Sequence, residues 1–275
     1  MAGALLLGCA RSPMPRRDAA PPPAAQPVTF PALDGAALHG FLYLPAGPGP
    51  FPAILWNHGS EKWPGWQPEL AAFYIGNGFA FFIPHRRGQG RSSDAGAYIM
   101  DRQPSKVQIV ANGTEAGKTV IALHEEAGRD VEAALAWLRT RPDVDARRIV
   151  MSGVSFGGIQ TMLAAEKDLG VRAFVAFAPG AISWRWVTGL DGRLEQAAGN
   201  AKAPVLVVQA ANDFDLGPSR VLGPILERTG KGRAAQFPAF GNSEREGHGA
   251  FACTTAGTAI WGPTVLAFFR AALTP

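Results

Sequence analysis

The stretch that most constrains this 275-residue chain runs from Arg148 to Ala165. An apolar run, Ile149-Val150-Met151, leads into Gly153-Val154-Ser155-Phe156-Gly157, and Gly158 to Ala165 then reads as a helix. A buried strand, a sharp turn and a helix in that order put Ser155 at the apex of a strand-to-helix elbow, G-x-S-x-G. The glycines two before and two after the serine have a steric job, because a Cβ there would meet neighbouring backbone. Such a turn lifts the serine hydroxyl clear of the sheet and sets it beside a helix N-terminus, where free N–H groups can stabilise an oxyanion. The pattern alone also fits an ordinary glycine-rich turn. The rest of the chain has to supply a base, an acid and an anion site.

The length suits one large α/β domain or two small ones. Hydrophobic residues make up 47% and charged residues 17%, a globular balance. The formal net charge is +4, with Arg11, Arg16 and Arg17 in the N-terminal tail. No basic stripe interleaved with aromatics points to nucleic acid. The only cysteines, Cys9 and Cys253, have no Cys/His spacing of the kind that binds zinc. No metal or cofactor is expected.

Residues 1–27 read as a separate segment. Leu6-Leu7-Gly8-Cys9 resembles a bacterial lipobox, although its apolar region is shorter than in a usual signal peptide and no positive region precedes it. That reading makes lipidated Cys9 a membrane tether and places the protein in the cell envelope. The alternative is a frayed apolar terminus on a cytoplasmic protein. Arg11 to Pro27, rich in Pro and Ala, is expected to be extended and disordered. No other stretch reads as long and apolar enough to span a membrane.

From residue 28 to 275 the chain reads as a single domain. Val28 to Gly35 and Ala36 to Leu44 suit two strands joined at Asp34-Gly35. Phe51 to Asn57 is a continuous apolar run, as expected of a strand buried on both faces, and ends in His58-Gly59-Ser60. A helix is expected over Pro68 to Asn77 and a buried strand over Phe79 to Pro84. The strand's exit loop is His85-Arg86-Arg87-Gly88-Gln89-Gly90, too incomplete a glycine pattern for phosphate binding. Ser93 to Glu126 is the least regular part, an expected surface excursion or short helix, and Ala127 to Arg139 is an amphipathic helix. Further strands are expected over Val171 to Gly180, Pro204 to Ala210 and Ala234 to Phe237, and a last helix over Trp261 to Ala272. Strands alternating with helices predict an α/β fold: a mostly parallel sheet covered on both faces and opened by an antiparallel hairpin.

A serine hydroxyl needs an imidazole to take its proton and a carboxylate to orient that imidazole. His248 is the only histidine downstream of Ser155, and glycines flank it. Asp213 stands at the end of an expected buried strand, where ligand-facing groups of an α/β sheet collect; Asp215 is two residues on and stays open as the alternative. His58 lies upstream and reads as a packed loop histidine.

The ordered set Asn57-His58-Gly59-Ser60, His85 to Gly90, Val144 to Ile149, Gly153 to Gly158, Asn212-Asp213 and Gly247-His248-Gly249 resembles the α/β-hydrolases of dienelactone-hydrolase-like type. The resemblance implies the α/β-hydrolase fold, a Ser155–Asp213–His248 triad in that chain order, and an oxyanion hole made by the backbone N–H groups of Ser60 and Phe156. Dienelactone hydrolase itself carries a cysteine nucleophile. With Ser155 at that position the resemblance implies a serine esterase acting on small-molecule esters, or a relative of the prolyl-oligopeptidase-type peptidases. A different class, a non-catalytic binding protein of the same fold, would be expected to lack one of the triad residues. Trp63, Trp66, Trp184 and Trp186 are candidates for an apolar acyl pocket.

Overall fold

A computed structural model of the chain describes residues 25–274. Cys9 and the lipobox-like residues lie outside the described residues, as does most of the expected tether. In chain order the elements are β1 (Gln26–Pro31), β2 (Ala37–Tyr43), β3 (Phe51–Asn57), α1 (Pro68–Gly76), β4 (Ala80–His85), α2 (Ile99–Arg102), α3 (Lys106–Ala111), α4 (Gly113–Arg139), β5 (Val144–Val154), α5 (Phe156–Ala165), β6 (Phe174–Phe177), α6 (Leu190–Gly199), β7 (Val205–Ala210), α7 (Gly223–Arg228), β8 (Gly232–Phe237), α8 (Phe251–Cys253) and α9 (Thr255–Leu273). Gln26 and Pro27, read as tether, belong to β1.

Among the described residues the strands form one sheet in the order β1-β2-β4-β3-β5-β6-β7-β8. β2 pairs antiparallel with β1 and β4, and every pairing from β4 to β8 is parallel. This is the mostly parallel sheet with an antiparallel opening that the alternation predicts. It also explains the unbroken apolar runs. Along β3, Ala53 and Leu55 face one core while Ile54 and Trp56 face the other, all fully buried. A strand covered on both sides has no polar face. The first core is filled from α4, α5 and α6 by Val131, Ala134, Ile159, Met162 and Leu194. The second is filled from α1 and α9 by Leu70, Tyr74, Trp261, Val265 and Phe269.

Two elements depart from expectation. α4 begins at Gly113, well before Ala127, and with α2 and α3 it makes most of the irregular excursion helical. Gly113 and Gly117 weaken a helix by propensity, but Gly117 is needed where α4 passes the loop before α6. A Cβ there would lie 2.1 Å from the Thr188 carbonyl oxygen. α9 is the second departure: at 19 residues and a mean hydropathy of 1.2, it is long and apolar enough to cross a membrane by length and composition. Its Trp261, Val265 and Phe269 stripe is packed on the sheet as a cover of the second core.

The strand order also fixes where a site can form. From β3 the chain moves to β4 on one side and then to β5 on the other. The C-terminal ends of β3 and β5 therefore lie side by side where the order reverses, and ligands of open α/β sheets bind in that crevice. Asn57 and Gly153 are register partners there. The loops they enter carry Ser60 and Ser155.

Candidate active site

Ser155 is the N-cap of α5, with φ 57° and ψ −114°. Positive φ is a strained conformation for a residue with a side chain. The turn is pinned on both sides. The Ser155 N–H donates to the Phe177 carbonyl at 2.9 Å, and the Ser155 carbonyl accepts the Ile159 N–H at 3.0 Å. The N–H groups of Phe156, Gly157 and Gly158 precede that first helical bond and have no carbonyl of α5 to use. A Cβ on Gly157 would lie 1.9 Å from the Asn57 carbonyl oxygen, and one on Gly153 would lie 2.5 Å from that of Gly157. Both glycines thus have the steric role that the elbow pattern requires.

Asp213 follows β7, and its Oδ1 lies 2.7 Å from His248 Nδ1 with both side chains buried. Two further donors hold the carboxylate: the Phe214 N–H reaches Oδ1 at 2.8 Å and Gln209 Nε2 reaches Oδ2 at 2.7 Å. Gln209 cannot flip, because its amide oxygen accepts the Ser219 N–H at 2.9 Å and the Ser219 hydroxyl at 2.6 Å. Asp215 is engaged elsewhere. It accepts the Gly217 N–H at 2.7 Å and pairs with the exposed Arg185. Of the two aspartates left open by the sequence, the structure brings Asp213 to His248. His248 sits in a single π-type turn, Glu246–Ala250, a form frequent at functional sites. Its Nε2 is buried and has no hydrogen-bond partner among the described residues. An imidazole that gives its Nδ1 proton to a carboxylate keeps the Nε2 lone pair available to accept a proton.

His58 is fully buried. Its Nε2 accepts the Arg86 backbone N–H at 3.4 Å and its Nδ1 faces the Gly59 carbonyl at 3.0 Å. Burial, and then the Arg86 charge, hold its pKa well below 6.5. It is a neutral packing histidine. The basic loop after β4 is likewise committed inward. Arg87 makes a bidentate pair with Asp130, Nη2 donating to Oδ1 at 2.9 Å and Nε to Oδ2 at 3.2 Å, and reaches Asp34 at 2.9 Å. Arg86 is buried, with Nε donating to Gln89 Oε1 at 3.1 Å and Nη2 donating to the carbonyls of His58 and Gly59.

Sequence reasoning missed Gln209, Arg86 and Glu61. The only signal for Arg86 was its place in the glycine-rich loop after β4. The Glu61 carboxyl is buried with neither oxygen hydrogen-bonded among the described residues, and burial raises its pKa. Of the candidate pocket tryptophans, Trp66 packs edge-on to Phe41 at 6.1 Å, whereas Trp186 is 70% exposed. Among the described residues no three His, Cys, Asp or Glu side chains gather as a metal would require.

Over residues 19–195, more than half of the chain, the sequence matches the family described as acetyl xylan esterase (AXE1). That span includes the Ser155 elbow and the loop after β3, and ends before Asp213 and His248. Among curated proteins the chain is similar to thiohydrolase apmlB of Arthrinium phaeospermum, at 26% identity over 171 residues. That alignment covers 59% of this chain and 45% of the relative, so the chain spans less than half of the relative's length. Among solved structures it is similar to an acylaminoacyl peptidase of Pyrococcus horikoshii, with a TM-score of 0.65 at 18% identity, covering 90% of this chain and 41% of that one. It is also similar to a candidate dienelactone hydrolase of Klebsiella pneumoniae, with a TM-score of 0.60 at 17% identity, covering 90% and 98%. At such identities the two structures speak for the fold, which is the α/β-hydrolase one. The match over the elbow speaks for the family: the chain belongs to the family described as acetyl xylan esterase (AXE1), within the α/β-hydrolase superfamily.

Proposed function

We propose that this chain is a serine hydrolase that cleaves carboxylic esters through an acyl-enzyme on Ser155. The observation that carries the reading is the 2.7 Å contact between His248 Nδ1 and Asp213 Oδ1, which leaves His248 Nε2 buried and unpartnered among the described residues. His248 takes the hydroxyl proton as Ser155 Oγ attacks the ester carbonyl, then gives it to the departing alcohol. Asp213 keeps the imidazole in one tautomer and stabilises the imidazolium. The N–H groups of Ser60 and Phe156 receive the oxyanion. Water, deprotonated by His248, then attacks the acyl carbonyl, expels Ser155 and releases the acid. The family's name favours an acetyl or similarly short acyl group, and so does the seclusion of Ser155, which is 8% exposed.

The protein is expected to turn over p-nitrophenyl acetate faster than aminoacyl p-nitroanilides. Ser155→Ala or His248→Ala should lower kcat on the order of 10⁶-fold, because the triad works as a unit. Faster anilide cleavage would favour an acyl-peptide hydrolase, and turnover of neither substrate would count against both readings.

A further inference from the structure

The carbonyl oxygens of residues 58 to 62, in the loop after β3, are all held by one segment, residues 86 to 98. Arg86 Nη2 donates to the carbonyl of His58 at 2.9 Å and to that of Gly59. The Tyr98 hydroxyl donates to that of Ser60. Gln89 Nε2 donates to that of Glu61 at 2.8 Å, and the Gly90 N–H to that of Lys62 at 2.8 Å. Gln89 is itself bonded to Arg86 Nε at 3.1 Å. The Arg86 guanidinium also lies 4.7 Å from the centre of the Phe156 ring. One buried side chain therefore touches both segments whose N–H groups are assigned to the oxyanion.

The geometry of the peptide unit gives these contacts a consequence. Gly49–Pro50 is the cis bond among the described residues, so Gly59–Ser60 is trans. In a trans unit the carbonyl and the following N–H point in opposite directions. A donor fixed on the Gly59 carbonyl turns the Ser60 N–H to the far side and polarises it. Donors already oriented before reaction are what make an oxyanion site effective. The planar guanidinium fork can serve two carbonyls, an amide oxygen and a ring face at once, which a lysine cannot. Arg86 Nη1 is buried with no hydrogen-bond partner among the described residues. Burial lowers the Arg86 pKa to about 10, which leaves it cationic at neutral pH.

We propose that Arg86 is a positioning residue that builds the oxyanion hole: through the Gly59 carbonyl and the Phe156 ring it sets the Ser60 and Phe156 N–H groups. Gln89 and Tyr98 complete the clamp. The proposal rests on the serine-hydrolase reading and adds to it the residue that shapes the anion site.

The test compares wild type with Arg86→Gln, Arg86→Lys, Arg86→Ala, Tyr98→Phe and Gln89→Ala. Two readings are taken: ester kinetics, and the affinity for an alkylboronic acid, whose adduct on Ser155 is a tetrahedral anion. Arg86→Gln is expected to lose kcat on the order of 10²-fold with KM little changed, and boronate affinity by the same factor. Lysine should recover little. Added guanidinium should restore part of the kcat of Arg86→Ala, where sodium chloride at equal ionic strength does not. Tyr98→Phe removes one hydroxyl donor and should cost about tenfold in both readings. A folded Arg86→Gln protein with unchanged kcat, or with reduced kcat but unchanged boronate affinity, would overturn the clamp. If Arg86→Gln does not fold, Tyr98→Phe and Gln89→Ala decide by the same two readings. A wild type that neither turns over ester nor binds boronate would refute the hydrolase reading and the clamp with it. An active wild type with indifferent variants would refute the clamp alone.

Discussion

Acidification from about pH 7.5 to about pH 5.5 should weaken this fold well above the range where carboxylates protonate, because three buried histidines must stay neutral in it. Burial is the largest cause of the depressed pKa in each: about 4 for His85, about 3 for His124, and well below 6.5 for His58. In the unfolded chain an imidazole titrates near 6.5. Between the folded and unfolded values the unfolded chain holds the extra proton, so the stability is whole above about pH 6.5 and is lost as pH falls toward the folded pKa. At about pH 5.5 His85 and His124 each cost about 1.4 kcal/mol, or about 3 kcal/mol together, and His58 adds to the loss in the same direction. Glu61 acts in the opposite sense. Its folded pKa is raised, so the folded state holds its extra proton above about 4.5, and acidification restores at most about 1.4 kcal/mol per pH unit. Three histidines oppose one carboxyl, so the net effect of acidification is a loss of stability. Urea melts at the two pH values read the total. His124→Gln isolates one member: the stability difference between wild type and variant should change by about 1.4 kcal/mol between the two pH values. A difference that stays the same at both pH values would refute the assignment of His124 as a histidine kept neutral by burial.

Asp213→Asn should lower kcat on the order of 10⁴-fold while the protein stays folded, as the wrong imidazole tautomer would be selected. Asp215→Asn should leave kcat nearly intact, because that carboxylate serves Gly217 and Arg185; equal losses in the two variants, measured by ester kinetics, would contradict this division of roles. Gly157→Ala should cost about 3 kcal/mol in a urea melt, since its Cβ would lie 1.9 Å from the Asn57 carbonyl oxygen and would push β3 from the elbow. A fully stable Gly157→Ala protein would mean that the elbow has room for a side chain.

Much of this architecture can be read from sequence wherever burial on both faces removes ambiguity. Phe51–Asn57 and Val205–Ala210 are unbroken apolar runs, and they became β3 and β7. The elbow was readable because its glycines answer a local steric demand. The start of α4 was not, because Gly117 reads as a helix breaker until the distant Thr188 carbonyl is beside it. The choice between Asp213 and Asp215 depended on which carboxylate meets a histidine in a turn far along the chain. Arg86 and Gln89 were hidden for a related reason. Their partners are backbone carbonyls of residues 58 to 61, and backbone acceptors carry no signature in the sequence.

Ser155 can be interrogated directly by treating the folded protein with a fluorophosphonate and locating the adduct by peptide mass mapping. The triad predicts a single stoichiometric adduct on Ser155, lost in heat-denatured protein and slowed by orders of magnitude in His248→Gln. No adduct on Ser155 in the folded protein, or labelling at the same rate with His248 replaced, would contradict the assignment of Ser155 as a nucleophile activated by His248.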